Sequence, residues 1–422
     1  MSSDSLPIGR EADSQLDGAD AVRYVARQPI LDVRSKVYAY ELLFGDGPET
    51  SPRDGPKTAA CTLIDNTVLF GLEKLTSGLP AFVKCTPDMM SGALVEMLPA
   101  EMTVLEIAED AEQSPELAAM CQGLKSSGYR LALDDFTWRP GIAALLESAA
   151  YVKVSFSRVQ AEDRHELLSR LDGAPVKLIA KKVETQEQFG QACDEGFELV
   201  QGFYFCRPVM LENRKVPANR IAQIEILRML QEESLHLRKL TELVKRDVAL
   251  TYRLLRLINS PACAVRQEVH SVQTAILAVG EETFRRMATV AIASEMNAGR
   301  PSELLRMAFM RGRFCEQAAR YCALNASEQY LLGLLSLLPA MMRIPMSELA
   351  PQMPLREPIR QALVGGDGAE RRLLRWLERY EQADWAACDW IASELNLPPR
   401  TLIGCSQEAL AWAEAAVYFA SA

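Results

Sequence analysis

Leu131-Ala132-Leu133-Asp134-Asp135-Phe136 is an apolar run that ends in two adjacent acids. It reads as a buried strand whose tip carries at least one carboxylate. In a fold of repeating βα units, strand tips are where chemistry is placed. Two neighbouring carboxylates repel unless a cation or a proton separates them. Mg²⁺, Mn²⁺ and Ca²⁺ take oxygen ligands, so the other strand tips decide what this one does.

Seven further strand runs are predicted, at 22–31, 37–44, 81–85, 103–108, 151–156, 176–183 and 199–205, with this one spanning 130–135. The first two are close enough for a hairpin. Helix-length segments at 58–75, 114–127 and 185–195 separate later ones. Eight strands with helical crossovers predict an α/β, TIM-like (β/α)8 barrel with an antiparallel start. After Pro208 the strand runs vanish. Helical periodicity then continues to the end of the chain, broken at Pro261, Gly280, Pro301, Pro339 and Pro398. The expected organisation is a disordered tail over 1–20, a barrel over 21–208 and an all-α domain over 209–422.

The 422 residues allow two or three sizeable cores, and 49% hydrophobic with 24% charged residues is ordinary for a folded soluble protein. A net charge of −10 argues against general binding to nucleic acid or anionic membranes. The apolar run at 330–342 contains Gly333, Ser336 and Pro339 and is too short to span a bilayer. It is expected to be one buried helix. The ten cysteines form no CxxC pair, and the polar stretch 1–20 does not read as a signal peptide. Reduced thiols and a cytoplasmic location are the expectation.

Read in order, the tips supply Glu41, Lys84, Glu106, Asp134, Asp135, Lys153, Lys181, Glu184 and Gln201. This ordered set resembles the EAL domain, the barrel that hydrolyses cyclic di-GMP. Tyr40-Glu41-Leu42-Leu43 resembles the EAL signature, Leu105-Glu106-Ile107-Ala108-Glu109 the E-[IL]-T-E tip, and Asp134-Asp135-Phe136 the start of DDFG. Tyr151-Val152-Lys153 resembles the start of K-[IL]-D, and Ile179 to Thr185 resembles I-A-E-G-V-E-T. Val200-Gln201-Gly202-Phe203-Tyr204-Phe205 with Arg207-Pro208 resembles V-Q-G-Y-x-F-x-x-P.

The departures carry as much information. Lys84 and Lys181 align with an Asn and a Glu that, in that family, help bind metal and substrate. An ammonium has no lone pair to offer a cation. Like charges ~4 Å apart repel by about 4 kcal/mol at an effective dielectric of ~20. Ser155 stands where K-[IL]-D has its Asp, and Thr137-Trp138-Arg139 replaces the glycine-containing loop after the two acids.

In the second half, Asp247 to Pro261 has Leu250, Leu254, Leu257 and Ile258 at core-facing helical spacing. With Ala275 to Gly280, it resembles the HDOD domain, a helical relative of the HD phosphohydrolases. Ser336 and Leu337 stand where an His-Asp doublet would be, and none of the three histidines (His165, His236, His270) precedes an Asp. An HD-type metal site cannot be built from these. His236 and His270 are expected at the surface. Arg253, Arg256, Arg285 and Arg286 are expected on a solvated helix face rather than in a binding patch.

The tandem layout resembles the EAL–HDOD, or YuxH-type, bacterial signalling proteins. It implies a catalytically silent regulator with the nine tip positions vestigial. Neither metal nor cofactor is expected, and neither a membrane nor a nucleic-acid partner. Its partners would be signalling proteins met through the helical domain, and a homodimer is compatible with the resemblance. Two alternatives stay open: a receptor that binds cyclic di-GMP without metal, and a residual phosphodiesterase.

Overall fold

The computed structural model describes residues 23–46, 71–90, 95–107, 114–139, 142–206, 218–232, 236–245, 248–259 and 269–421. The expected tail, the boundary at 208/209 and most of the expected helix at 58–75 lie outside them.

Eight strands close a barrel in sequence order: β1 (Arg23–Asp32), β2 (Val37–Asp46), β3 (Ala81–Cys85), β4 (Thr103–Ile107), β5 (Arg130–Leu133), β6 (Tyr151–Ser155), β7 (Lys177–Lys181) and β8 (Leu199–Gln201). β1 runs antiparallel to both β2 and β8, and every other pairing is parallel. The antiparallel start is therefore present. Helices α1 (Leu72–Thr76), α2 (Pro87–Met90), α3 (Pro115–Ser126), α4 (Ala143–Leu146), α5 (Ala161–Leu171) and α6 (Gln186–Asp194) lie in the crossovers.

Successive side chains of a strand point to opposite faces, so each strand sends every second residue into the barrel. Ile30, Ala39, Phe82, Val104, Ala132, Tyr151, Ile179 and Leu199, one from each strand, form a separate apolar cluster. That is one filled layer of the interior. The outward-facing residues pack against the helices.

The second half is helical throughout its described residues: α7 (Ala218–Leu230), α8 (Leu237–Lys245), α9 (Val248–Ile258), α10 (Val272–Val279), α11 (Glu281–Met296), α12 (Ser302–Ala319), α13 (Ala326–Leu335), α14 (Leu338–Met342), α15 (Met346–Leu349), α16 (Glu357–Leu363), α17 (Ala369–Glu381), α18 (Trp385–Glu394) and α19 (Pro399–Ser421). Leu250, Leu254, Leu257 and Ile258 are all buried. After α9, the Asn259 amide donates to the Val269 carbonyl at 2.9 Å and accepts from its N–H at 2.8 Å. That clamp gives the Asn of Asn259-Ser260-Pro261 a structural purpose.

Three expectations need correction. Asp134 and Asp135 are not in β5 but in the turn after it, where Asp135 has φ 44°. β8 stops at Gln201 and a 3₁₀ turn spans Tyr204–Cys206, because Gly202 (φ 155°) redirects the chain. The run 330–342 is not one helix but parts of α13 and α14. Pro339 lies in the first turn of α14, where its missing N–H costs nothing. No single helix among the described residues is long and apolar enough to cross a membrane.

The two halves meet along β1 and β2. The Tyr24 ring stacks on Trp385 of α18 at 5.1 Å, and its hydroxyl bonds Asp389. Tyr380 of α17 donates to the Val25 carbonyl. Tyr40 donates to Glu303 of α12 at 2.9 Å, and Arg27 reaches Glu414 of α19 at 2.6 Å. Gly45 lies against the Trp385 indole, where a Cβ would overlap the ring.

Gly202 gives a direct test of barrel closure. A Cβ there would overlap the backbone of Val183, and φ 155° is unfavourable for an L side chain. Gly202→Ala is expected to destabilise the protein by more than about 3 kcal/mol. Urea unfolding followed by circular dichroism measures this, and a change within about 0.5 kcal/mol, the range of neutral surface changes, would refute the account.

Candidate functional site

Moving two residues along each strand from the apolar layer reaches the next inward layer. For the seven strands that run one way the step gives Glu41, Lys84, Glu106, Asp134, Lys153, Lys181 and Gln201. β1 runs the other way, so its member is Gln28, two residues before Ile30. The candidate site is thus a polar layer stacked on an apolar one. It explains why residues spread over 174 positions of sequence arrive together, and Gln28 is the member that a reading of strand ends misses.

Lys153 is the centre of this layer. Its side chain is 0% exposed. Nζ donates to Glu41 Oε2 at 2.7 Å and Glu106 Oε1 at 2.5 Å, and lies 4.0 Å from Asp134 Oδ1. Beneath it the Phe82 ring centroid is 5.7 Å away. Lys181 donates to both oxygens of Asp134, at 2.6 and 2.9 Å, and lies 3.4 Å from Asp135. Gln201 donates to Glu41 at 2.5 Å and to Gln28 at 2.8 Å.

The remaining candidates lie outside this knot. Lys84 is 58% exposed and approaches Asp134 only to 3.9 Å. It stands at the mouth, at the outer edge of the carboxylate layer, with Asp134 as its ion-pair partner. Asp135 faces Arg158 at 3.3 Å. Glu184 is exposed in the loop after β7, where its backbone N–H bonds Gln188 at the start of α6. It is therefore not brought together with the layer. Ser155 is buried, 3.2 Å from the Ser157 hydroxyl. The carboxylates Glu41 and Glu106 pair with Lys153, whereas Lys181 pairs with Asp134 and, more distantly, Asp135.

Burial and the adjacent Glu41 charge push the Glu106 carboxyl up to about 8, with Lys153 offsetting them in part. Burial acts the same way on Glu41, but Lys153 and the Gln201 amide outweigh it and hold that carboxyl below its ordinary range. The asymmetry has a geometric cause: Glu41 Oε2 accepts two hydrogen bonds, whereas Glu106 Oε2 is buried without a partner. Asp134 is also held low, since Lys153 and Lys181 together overcome its burial. Burial alone would lower both lysines, yet the surrounding carboxylates raise them.

A divalent cation does not fit these residues. Each inner carboxylate is already bonded to a fixed ammonium, and Lys153 Nζ stands between Glu41 and Glu106. An added ion would meet two positive charges within bonding range of its own ligands. Among the described residues, no group of three or more His, Cys, Asp or Glu is arranged to hold a metal.

The helical half repeats the theme. Ser336, at the position of an His-Asp doublet, accepts from Arg311 Nη1 at 3.2 Å. Arg311 is buried and paired with Glu381 through two bonds of 3.1 and 2.6 Å. Gly333 lets α13 cross α12 closely, since a Cβ there would overlap the Arg311 carbonyl. His165, His236 and His270 are all exposed. Arg253, Arg256 and Arg286 are exposed, and Arg285 pairs with Glu281 and the Leu230 carbonyl.

The EAL domain model matches residues 93–208 and the HDOD domain model residues 217–360. The uncharacterized protein YuxH of Bacillus subtilis is 30% identical over 400 residues, covering 92% of this chain and 97% of its own. The chain belongs to the tandem EAL–HDOD family. A second relative is the cyclic di-GMP phosphodiesterase CdgJ of Vibrio cholerae, 29% identical over 380 residues and 88% of each chain. A standalone EAL protein from Vibrio cholerae O395, solved with c-di-GMP, is 20% identical over 45% of this chain and 93% of its own, with a TM-score of 0.36. The EAL match begins after β3, so Glu41 and Lys84 are placed in the site by the barrel's register and not by the family model.

Two outcomes test the polar layer. Lys153→Met leaves the carboxylates without their central cation and is expected to cost about 3–5 kcal/mol. A chemical unfolding curve matching that of the unmodified protein would contradict the central role of Lys153. Glu106 is raised in the folded state, so its stabilising contribution is full below its unfolded value near 4.5 and is lost as pH rises to about 8. Glu41 and Asp134 are lowered, so theirs are lost only as pH falls below the ordinary carboxylate range. Glu106→Gln is therefore expected to flatten the decline in stability between pH ~5 and ~8. An unchanged slope would mean that Glu106 is already ionised in the folded protein.

Proposed function

We propose that the chain, which its EAL and HDOD domains place in cyclic di-GMP signalling, is a regulator without phosphodiesterase turnover, acting through protein contacts. The observation that carries this is the Lys181 ammonium bonded to both oxygens of Asp134. Lys181 stands where the resemblance calls for a carboxylate, so a metal ligand is replaced and a second one is neutralised. A metal-activated water has no site in which to form.

A second reading is favoured by the mouth of the barrel. Lys84 is largely exposed there, with Lys181 and Arg158 close to the two aspartates. These cations could meet the phosphates of cyclic di-GMP with no metal. Calorimetric titration with cyclic di-GMP, with and without Mg²⁺, decides. Absence of binding supports the contact-only regulator, and metal-independent binding supports the receptor. Metal-dependent turnover at an ordinary enzymatic rate would overturn both.

Lys84→Asn with Lys181→Glu changes the local charge by three units, one from the first and two from the second. This double variant is expected to gain a thermal stabilisation by millimolar Mn²⁺ or Mg²⁺ that the unmodified protein lacks. Little turnover should accompany it, since Ser155 and Thr137-Trp138-Arg139 still depart from the family and catalysis tolerates misplacement poorly. A folded double variant with no metal response would show that Lys181 is not the obstacle.

A further inference from the structure

A pocket of about 440 Å³ lies between the barrel and the helical half, and no residue of the polar layer lines it. The β1–β2 hairpin contributes Arg34 and Lys36, and the helical half contributes Arg300 and Arg343. None of its lining residues is acidic. In a chain of net charge −10, four cations around one cavity are a local reversal of sign. Asp32, the nearest acid on the hairpin, has Oδ1 turned to the backbone N–H groups of Arg34 and Lys36, at 2.9 and 2.8 Å. Among the described residues, the head groups of Arg34, Lys36 and Arg343 form no ion pair with a carboxylate. Arg300 is anchored by Nε to the Met341 carbonyl at 3.1 Å.

Two details indicate that the cations are placed. Arg343 adopts φ 57° at the end of α14, a left-handed position usually given to Gly. An arginine is held there, where it lines the cavity. α12 begins at the same wall with Ser302, and no side chain caps it. Hydroxyls are also present: Ser35 and Tyr204 lie 3.1 Å apart within the lining. Arginine forks, a lysine and hydroxyls together match a tetrahedral oxyanion of more than one charge.

We propose that this pocket binds a phosphoryl anion, either free or carried on a nucleotide, and that the anion joins the two halves. Like charges contributed from two sides, Arg34 and Lys36 on one and Arg343 on the other, repel one another across the cleft. An anion between them converts the repulsion into bridging contacts. The contact surface between barrel and helices would then respond to a small molecule without any reaction at the barrel's polar layer.

The test uses the full chain and inorganic pyrophosphate, titrated by calorimetry at constant ionic strength set with chloride. Saturable binding near one site per chain is expected, with a raised thermal midpoint. Arg34→Gln with Lys36→Gln, both exposed and on the hairpin, should weaken binding at least tenfold. Arg343→Gln should do the same from the other side of the cleft, which a one-sided site would not show. ADP as a second probe separates the sources: tighter binding than pyrophosphate points to a nucleotide, equal binding to the free anion. Non-saturating heats with both probes, or hairpin variants that bind like the unmodified protein, would overturn the assignment. So would binding lost in Lys84→Gln but kept in the hairpin variants, since the anion would then sit at the barrel mouth.

Discussion

Three carboxyl and two ammonium groups, all buried or nearly so, occupy one layer of a closed barrel. Burying a lone charge in such a place costs several kcal/mol even after relaxation. The layer is tolerable only because each charge has a partner at bonding distance. Lys153 holds Glu41 and Glu106, while Lys181 holds Asp134. Once the pairs are set, three consequences follow together. The repulsion among the acids is offset by the lysines, the layer carries its own cations, and each acid has an oxygen bonded to an ammonium. The same contacts that stabilise the layer also occupy its oxygens.

The helical half reaches a comparable end by other means. There the oxygen and nitrogen ligands of an HD-type centre are missing altogether, and Arg311 bonds Ser336 while fixed by Glu381. In both halves a protein cation stands among polar groups at the position that resemblance associates with a metal. A protein-borne charge cannot dissociate, so neither half would depend on metal supply for its shape.

Much of this was legible in the sequence, and the reasons for the exceptions are physical. Period-2 alternation and the ordered tips located Glu41, Glu106, Asp134, Lys153, Lys181 and Gln201 in one fold. Gln28 escaped because β1 runs opposite to its neighbours, so its inward residue precedes the apolar layer instead of following it. Lys84 and Lys181 looked equivalent as tip lysines. They differ because Lys181 is directed at Asp134 while Lys84 leans to the mouth, which depends on strand tilt around the closed barrel and not on local sequence. Glu184 looked like a tip acid, yet it lies three residues past Lys181. An odd step of that kind leaves the inward face. The split of the 330–342 run turned on Pro339, which starts α14 as readily as it ends a helix.

The same alternation links the site to the domain contact. On β1, Gln28 faces inward beside Gln201, while its neighbour Arg27 faces outward to Glu414. On β2, Glu41 faces Lys153, while its neighbour Tyr40 bonds Glu303 and lies under the Arg27 guanidinium at 4.3 Å. The two strands are themselves paired, with Gln28 opposite Glu41 and Arg27 opposite Leu42. One ribbon thus carries a wall of the polar layer on one face and the seat of the helical half on the other. A shift of this ribbon sufficient to release Glu41 from Lys153 would also displace Tyr40 from Glu303. The barrel's interior charges and the placement of the helical domain are therefore mechanically coupled, although no covalent chemistry connects them.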